Sequence, residues 1–195
     1  MKETEKPRII LGIDPGTNLL GYGIIETLGN GMALKGTGVV RLDKYSDHGK
    51  KLFHIYEKIA GLIDGFQITE VAIEAPFYGK NVQSMLKLGR AQGVAIAAAI
   101  SRNLEVYEYV PRKIKQSITG NGNASKEQVS AMLQSLLVFD QLPESLDATD
   151  GLAAAVCHFF QFSPRSFGQT GSKTSKGKPG NWKQFLSENP DRLKK

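Results

Sequence analysis

The stretch Arg8-Ile9-Ile10-Leu11-Gly12-Ile13-Asp14-Pro15-Gly16-Thr17 is the strongest strand signal in the chain, and the other elements are placed relative to it. Its apolar run reads as a buried β-strand over Arg8–Asp14, and the strand delivers a carboxylate into a Pro-Gly turn. A side chain leaving a strand at that point stands at the edge of a sheet on a rigid backbone, where it can reach a ligand. Asp before Pro-Gly is also ordinary turn chemistry. Taken alone, the strand leaves both roles open, and the question is whether other acids gather around Asp14.

Downstream, Leu19–Leu28 reads as a second strand, Gly29-Asn30-Gly31 as a tight hairpin turn and Met32–Leu42 as a third strand, so the fold begins as an antiparallel meander. Ser46–Phe66 carries Leu52, Ile55, Tyr56, Ile59, Leu62 and Ile63 at helical spacing, with Gly65 as its expected C-cap. Ile68–Glu74 is a short strand that, like the first, ends in an acid followed closely by proline. Val82–Ser101 is a helix rich in Gly and Ala, suited to close packing against a sheet or another subunit. Leu104–Tyr109 reads as a strand, Pro111 as the first residue of a helix, and Thr119–Asn123 as a loop. Ser125 is an expected N-cap, with Gln128 in the capping-box position, for a helix running to about Val138. Pro143 separates it from a last helix, Asp147–Phe162. Asp147 and Asp150 lie in that helix's first turn and share a face, and the N-cap role for Asp147 stays open.

The 195 residues fit one domain with a tail, residues 8–162 and 163–195. The net charge of +6 is wholly in the second part: residues 163–195 hold eight Lys/Arg against Glu188 and Asp191, while residues 1–162 hold seventeen of each sign. Ser163–Gly180 has the Gly, Ser, Thr and Lys composition of a flexible linker. Between Lys80 and Lys126 lie eight basic residues against Glu105 and Glu108, a second basic zone. Such zones attract polyphosphate, and they also solvate ordinary helix faces. The single cysteine, Cys157, excludes an intramolecular disulfide and fits a reducing cytoplasm. No signal peptide is evident, and the longest apolar run, Val94–Ile100, is far shorter than the roughly 20 residues a membrane helix needs.

Asp14, Glu74, Asp147 and Asp150 form a candidate constellation. Four carboxylates brought together repel one another and raise each other's pKa unless cations neutralise them. Hard oxygen donors point to Mg²⁺ or Mn²⁺, and the lack of a Cys/His cluster argues against zinc. Two such ions about 3.5–4 Å apart serve phosphodiester hydrolysis, which gives the basic zones a substrate in nucleic acid. The bland readings are helix-terminus stabilisation for the aspartate pair and a strand end for Glu74.

Five segments in order carry a resemblance: Ile10–Thr17; Ile73-Glu74-Ala75-Pro76-Phe77-Tyr78-Gly79-Lys80-Asn81; Leu86-Lys87-Leu88-Gly89-Arg90-Ala91-Gln92-Gly93-Val94-Ala95; Val110-Pro111-Arg112-Lys113-Ile114-Lys115-Gln116; and Asp147-Ala148-Thr149-Asp150-Gly151-Leu152-Ala153. Together they resemble the RuvC family of bacterial Holliday-junction resolvases over residues 8–162. The resemblance implies an α/β, RNase H-like fold: a mixed five-stranded sheet, an antiparallel meander followed by parallel strands, flanked by helices. It also implies a homodimer that resolves four-way DNA junctions by paired symmetric nicks, leaving 5′-phosphate and 3′-hydroxyl ends. Asp14, Glu74, Asp147 and Asp150 are then the catalytic metal ligands for two Mg²⁺ per site, with Mn²⁺ as a substitute. Phe77 matches an aromatic that inserts among bases, and Lys115 and Lys126 match contacts to the scissile-strand phosphates. Lys80, Asn81, Lys87 and Arg112 lie in or beside the same segments as further candidate DNA contacts. The helix Val82–Ser101 resembles the family's dimer helix, and partnership with the RuvA–RuvB branch-migration machinery is expected by family.

Gly151 departs from the alanine usual in the family, and by helix propensity it would loosen the last helix by up to about 1 kcal/mol. Rival readings are an ATP-binding module of the actin, Hsp70 and sugar-kinase type, which shares the first motif but needs a second phosphate loop, another RNase H-like nuclease, and a catalytically silent junction binder.

Overall fold

The computed structural model describes residues 7–76, 81–137 and 146–162. Strand β1 (Ile9–Asp14) is buried from Ile10 through Ile13. A strand apolar on both faces must be covered on both, and β1 is the central strand of a five-stranded sheet of order β3-β2-β1-β4-β5. Strands β2 (Leu19–Leu28) and β3 (Gly31–Arg41) form the expected antiparallel meander with β1. Strands β4 (Glu70–Glu74) and β5 (Glu105–Tyr109) add in parallel on the other side. This is the mixed five-stranded architecture expected from the sequence.

Helices α1 (His48–Phe66) and α2 (Val82–Ile100) cover one face, where Leu11, Ile13, Ile24, Ile55, Ile59 and Ala95 pack in one core cluster. Helices α3 (Pro111–Thr119), α4 (Lys126–Leu137) and α5 (Leu146–Phe162) cover the other, around Ile10, Ile25, Ile114, Leu133 and Leu152. Pro111 opens α3 as expected. The Ser125/Gln128 capping box forms reciprocally: Ser125 N–H donates to Gln128 Oε1 at 2.9 Å and Gln128 N–H to Ser125 Oγ at 3.3 Å.

Helix ends depart from the expected positions at three points. Helix α1 ends not at Gly65 but at Phe66, with Gln67 in the left-handed region at φ 55°. The N–H of Ile68 bonds the Ile63 carbonyl at 3.1 Å, so the chain turns at once to bury Ile68, and that tertiary demand outweighs the glycine preference. Asp147 is not an N-cap: α5 begins at Leu146, which places Asp147 inside the helix. Helix α1 begins at His48 rather than Ser46 because Asp47 caps it, accepting from Lys50 N–H at 2.8 Å.

Contacts divide the chain into Met1–Pro164 and Arg165–Lys195. The predicted linker and tail, Phe77, Lys80, Val138 and Pro143 lie outside the described residues. Among the described residues, no helix is long and apolar enough to cross a membrane.

Candidate active site

Strands β1 and β4 run parallel with Ile13 beside Ile73, so their last residues, Asp14 and Glu74, leave the sheet side by side at the same end. Asp14 shares a strand face with Gly12. A Cβ at Gly12 would collide with Gly151 O and Ala155 N of α5, so this face is the one the helix lies on. Gly21 and Gly23, two apart on β2, are equally filled by α5 backbone at Asp147 and Leu152. The bare strip lets α5 lie almost directly on the sheet, which brings its first turn to the acidic ends of β1 and β4.

Asp14, Glu74 and Asp150 line one pocket together with Lys115, Lys126, Pro111, Ile114, Val129 and Ala153. Asp147 stands at its border, linked through Lys126, whose Nζ is 3.9 Å from Asp147 Oδ1 and hydrogen-bonded to Asp150 Oδ2. The Asp150 side chain is 15% exposed and that of Asp147 39%, so Asp150 is the deeper of the pair.

Burial first, and then the charges of Asp150 and Asp147, push the Asp14 carboxyl up to about 7 against the pull of Lys126. Glu74 rises to about 8, again mainly by burial, with Asp14 and Asp150 adding to it and Lys126 and Lys115 opposing. Asp150 is raised by burial despite its bond to Lys126. Burial pulls the Lys126 ammonium down, but the Asp150 hydrogen bond and the charges of Asp150, Asp14 and Asp147 outweigh it and hold the group above its ordinary value. Burial thus makes Asp14 and Glu74 costly to ionise, and a further cation in the pocket would favour their charged forms.

The donor set fits hard divalent ions: carboxylate oxygens, supplied by three rigid elements. No three acids or imidazoles among the described residues stand close enough to hold an ion as they are placed here. The cation among the carboxylates is the Lys126 ammonium.

Of the candidate DNA contacts, Lys115 and Lys126 reach the pocket. Asn81 is exposed, and its side chain caps α2, accepting from Ser84 N–H at 3.1 Å. Lys87 and Arg112 are exposed, on α2 and in the first turn of α3. Sequence reasoning missed the apolar wall of the pocket, Ile114 and Val129, for which the signal was the i, i+4 pair Ile114/Ile118 on α3 and Val129/Leu133 on α4. It also missed the bond from Lys126 to Asp150, which spans 24 residues and leaves no local trace.

The family model described as Crossover junction endodeoxyribonuclease RuvC matches residues 10–158. A protein of that name from Cytophaga hutchinsonii is 57% identical over 96% of this chain and 88% of its own length. Another from Porphyromonas gingivalis is 56% identical over 97% of this chain and 98% of its own. Among solved structures, T. thermophilus RuvC in complex with a Holliday junction substrate is similar with a TM-score of 0.74 and 29% identity, over 79% of this chain and 94% of that one.

Proposed function

This chain belongs to the RuvC family of crossover junction endodeoxyribonucleases, and on that premise we propose that it resolves Holliday junctions by hydrolysing DNA phosphodiesters at the pocket between β1, β4 and α5. Family membership sets aside the ATP-binding reading. The observation that carries the site assignment is the convergence of Asp14, Glu74 and Asp150 with Lys115 and Lys126 in one pocket.

Family members are metal-dependent nucleases, and the residues that would hold the metal here are Asp14, Glu74, Asp147 and Asp150. Two Mg²⁺ ions, with Mn²⁺ able to substitute, would supply a nucleophilic water and stabilise charge on the departing 3′-oxygen. The chain's own residues do the rest. The two strand ends and the first turn of α5 hold the carboxylates on a rigid scaffold, so side-chain movement alone would close them on an ion. Lys115 and Lys126 place positive charge at the pocket where the scissile phosphate must lie, and Ile114 and Val129 wall part of it from water. Departure of the 3′-oxygen leaves a 5′-phosphate and a 3′-hydroxyl, which a ligase can join.

Paired nicks on opposite strands call for two sites, and a homodimer supplies them. The outer stripe of α2 supports this reading: Val82, Leu86 and Ile100 are 68%, 52% and 59% exposed, with the exposed Gly89, Gly93 and Ala97 between them. Phe77 is assigned to DNA by family position, and Lys80, Asn81, Lys87 and Arg112 as candidates that lie in or beside the matching segments. Residues 163–195 add a basic tail outside the nuclease domain. Coupling to RuvA–RuvB and a cytoplasmic location are expected by family.

The test is incubation of the purified protein with mobile and immobile synthetic four-way junctions, mapping nicks on every strand. Symmetric nicks on two opposite strands are expected with Mg²⁺ and none in EDTA. Asp14→Asn, Glu74→Gln and Asp147→Asn should each lose cleavage by at least about a hundred-fold while still binding the junction. Cleavage persisting in EDTA, full activity in any of the three variants, or nicking confined to one strand would each contradict the corresponding part of the reading.

A further inference from the structure

Lys126 opens α4 and extends its side chain into the carboxylate cluster, hydrogen-bonding Asp150 Oδ2 and standing 3.9 Å from Asp147 Oδ1. We propose that Lys126 is a built-in counter-cation that neutralises this cluster when no divalent ion is bound and must release Asp150 and Asp147 for the metal to load. The inference rests on the metal-dependent reading of the site given above.

Three features carry it. First, the ammonium engages the same oxygens that would ligate an ion, so lysine and metal compete for one set of donors. Second, Asp150 is the deeper of the aspartate pair and stands in the pocket with the partly buried Asp14 and Glu74, and Lys126 is the cation in direct contact with it. An ammonium there lowers the repulsion that would otherwise oppose folding of α5 onto the sheet. Third, the Lys126 side chain is 51% exposed and Asp150 only 15%. The lysine can therefore swing out on its flexible stem, while the acid it leaves stays fixed on the helix.

Coupling to substrate follows. A DNA phosphate entering the pocket offers Lys126 another anion, and a lysine that moves to the phosphate frees Asp150 for the ion. Junction binding and metal loading then favour each other, because both are opposed by the same internal ion pair. A site held in this way is stabilised when idle and accepts metal most readily with substrate present.

The measurement is Mn²⁺ binding to metal-stripped full-length protein without DNA, read from the electron paramagnetic resonance signal of free Mn²⁺. Lys126→Met should bind Mn²⁺ about three- to ten-fold tighter than wild type, since it removes the competing charge, and Lys126→Arg should stay close to wild type. Thermal unfolding gives an independent reading: Lys126→Met should melt lower than wild type in EDTA and gain more from Mn²⁺. Lys126→Gln repeats both measurements with a polar side chain, so a misfolded Met variant does not leave the question open. Mn²⁺ affinity unchanged or weakened in a neutral variant that retains the native circular dichroism overturns the proposal. Failure of wild type and of the neutral variants alike to bind Mn²⁺, with and without junction DNA, overturns instead the metal reading on which it rests.

Discussion

His158 is completely buried, yet it bonds through both ring nitrogens, with Nε2 at 2.6 Å from Glu70 Oε2 and Nδ1 at 2.7 Å from the Tyr109 hydroxyl. Glu70 is also gripped by Arg8, whose Nε and Nη2 donate to its two oxygens at 2.5 Å each. Burial raises the Glu70 carboxyl, but Arg8 and His158 outweigh it and hold the group below its ordinary value, so it accepts only. His158 must then carry its proton on Nε2 and accept from Tyr109 on Nδ1, the neutral form, in agreement with a pKa that burial lowers. A histidine lowered in the folded state contributes stability that is full above the unfolded value near 6.5 and is lost as pH falls below it. His158→Ala should therefore cost about 2 kcal/mol at pH 8, where Glu70 and Tyr109 lose their partner, and less at pH 5.5. Asp14 and Glu74 are raised and titrate with the opposite sign, but they lie at the last residues of β1 and β4, away from Glu70 at the start of β4, and appear equally in both proteins. The difference between wild-type and variant urea midpoints across pH isolates the histidine, and a gap that is constant or widens toward acid would refute this account.

At the scale of elements, the site depends on how closely α5 lies on the sheet. A Cβ built at Gly151 meets the Gly21 carbonyl carbon and the Tyr22 Cα at 2.6 Å, backbone atoms that cannot swing aside. Helix propensity alone makes Gly151 a weak point that alanine would improve by up to about 1 kcal/mol. The packing reverses that sign, because overfilling a tight contact costs about 1–3 kcal/mol and here would lift the first turn of α5 from β2. Gly151→Ala should lower stability and reduce cleavage further than its lost stability explains, since Asp147 and Asp150 move with the helix. Gly61→Ala is the control: it lies at an exposed position of α1 with nothing within 4 Å of an added Cβ, and it should gain stability. Thermal melts and junction cleavage of the two variants decide the matter, and a Gly151→Ala protein as stable and active as wild type would remove the close-packing argument. The same contact shows what the sequence could and could not tell. Strands ending in Asp14 and Glu74, and an aspartate pair three apart, are local patterns with local meaning. That Gly21 and Gly23 bare one face of β2 was visible as spacing, but its purpose appears only when α5 fills it. The cap at Gln67 follows from the burial of Ile68 in the core, and the bond from Lys126 to Asp150 joins residues 24 apart, so no local pattern announces either.

Over the whole molecule, charge is divided sharply: residues 1–162 are neutral in sum, and residues 163–195 hold the entire net charge of +6. A neutral nuclease domain can still concentrate cations at one pocket, as Lys115 and Lys126 do, while offering little long-range attraction to DNA. The tail supplies that attraction if its lysines and arginines meet phosphates. Each phosphate neutralised on duplex DNA contributes about 0.9 to the slope of log affinity against log salt, so the role is directly measurable. Protein truncated after Phe162 should bind junctions more weakly at low salt and with a shallower slope. It should lose affinity for linear duplex by a similar factor, because phosphate contacts carry no information about branching. Cleavage of junction at saturating enzyme should be preserved, since the carboxylates and Lys126 all lie in the retained part. An unchanged salt slope on truncation would show that the tail makes no phosphate contacts, and loss of junction-over-duplex preference would show that it reads structure rather than charge.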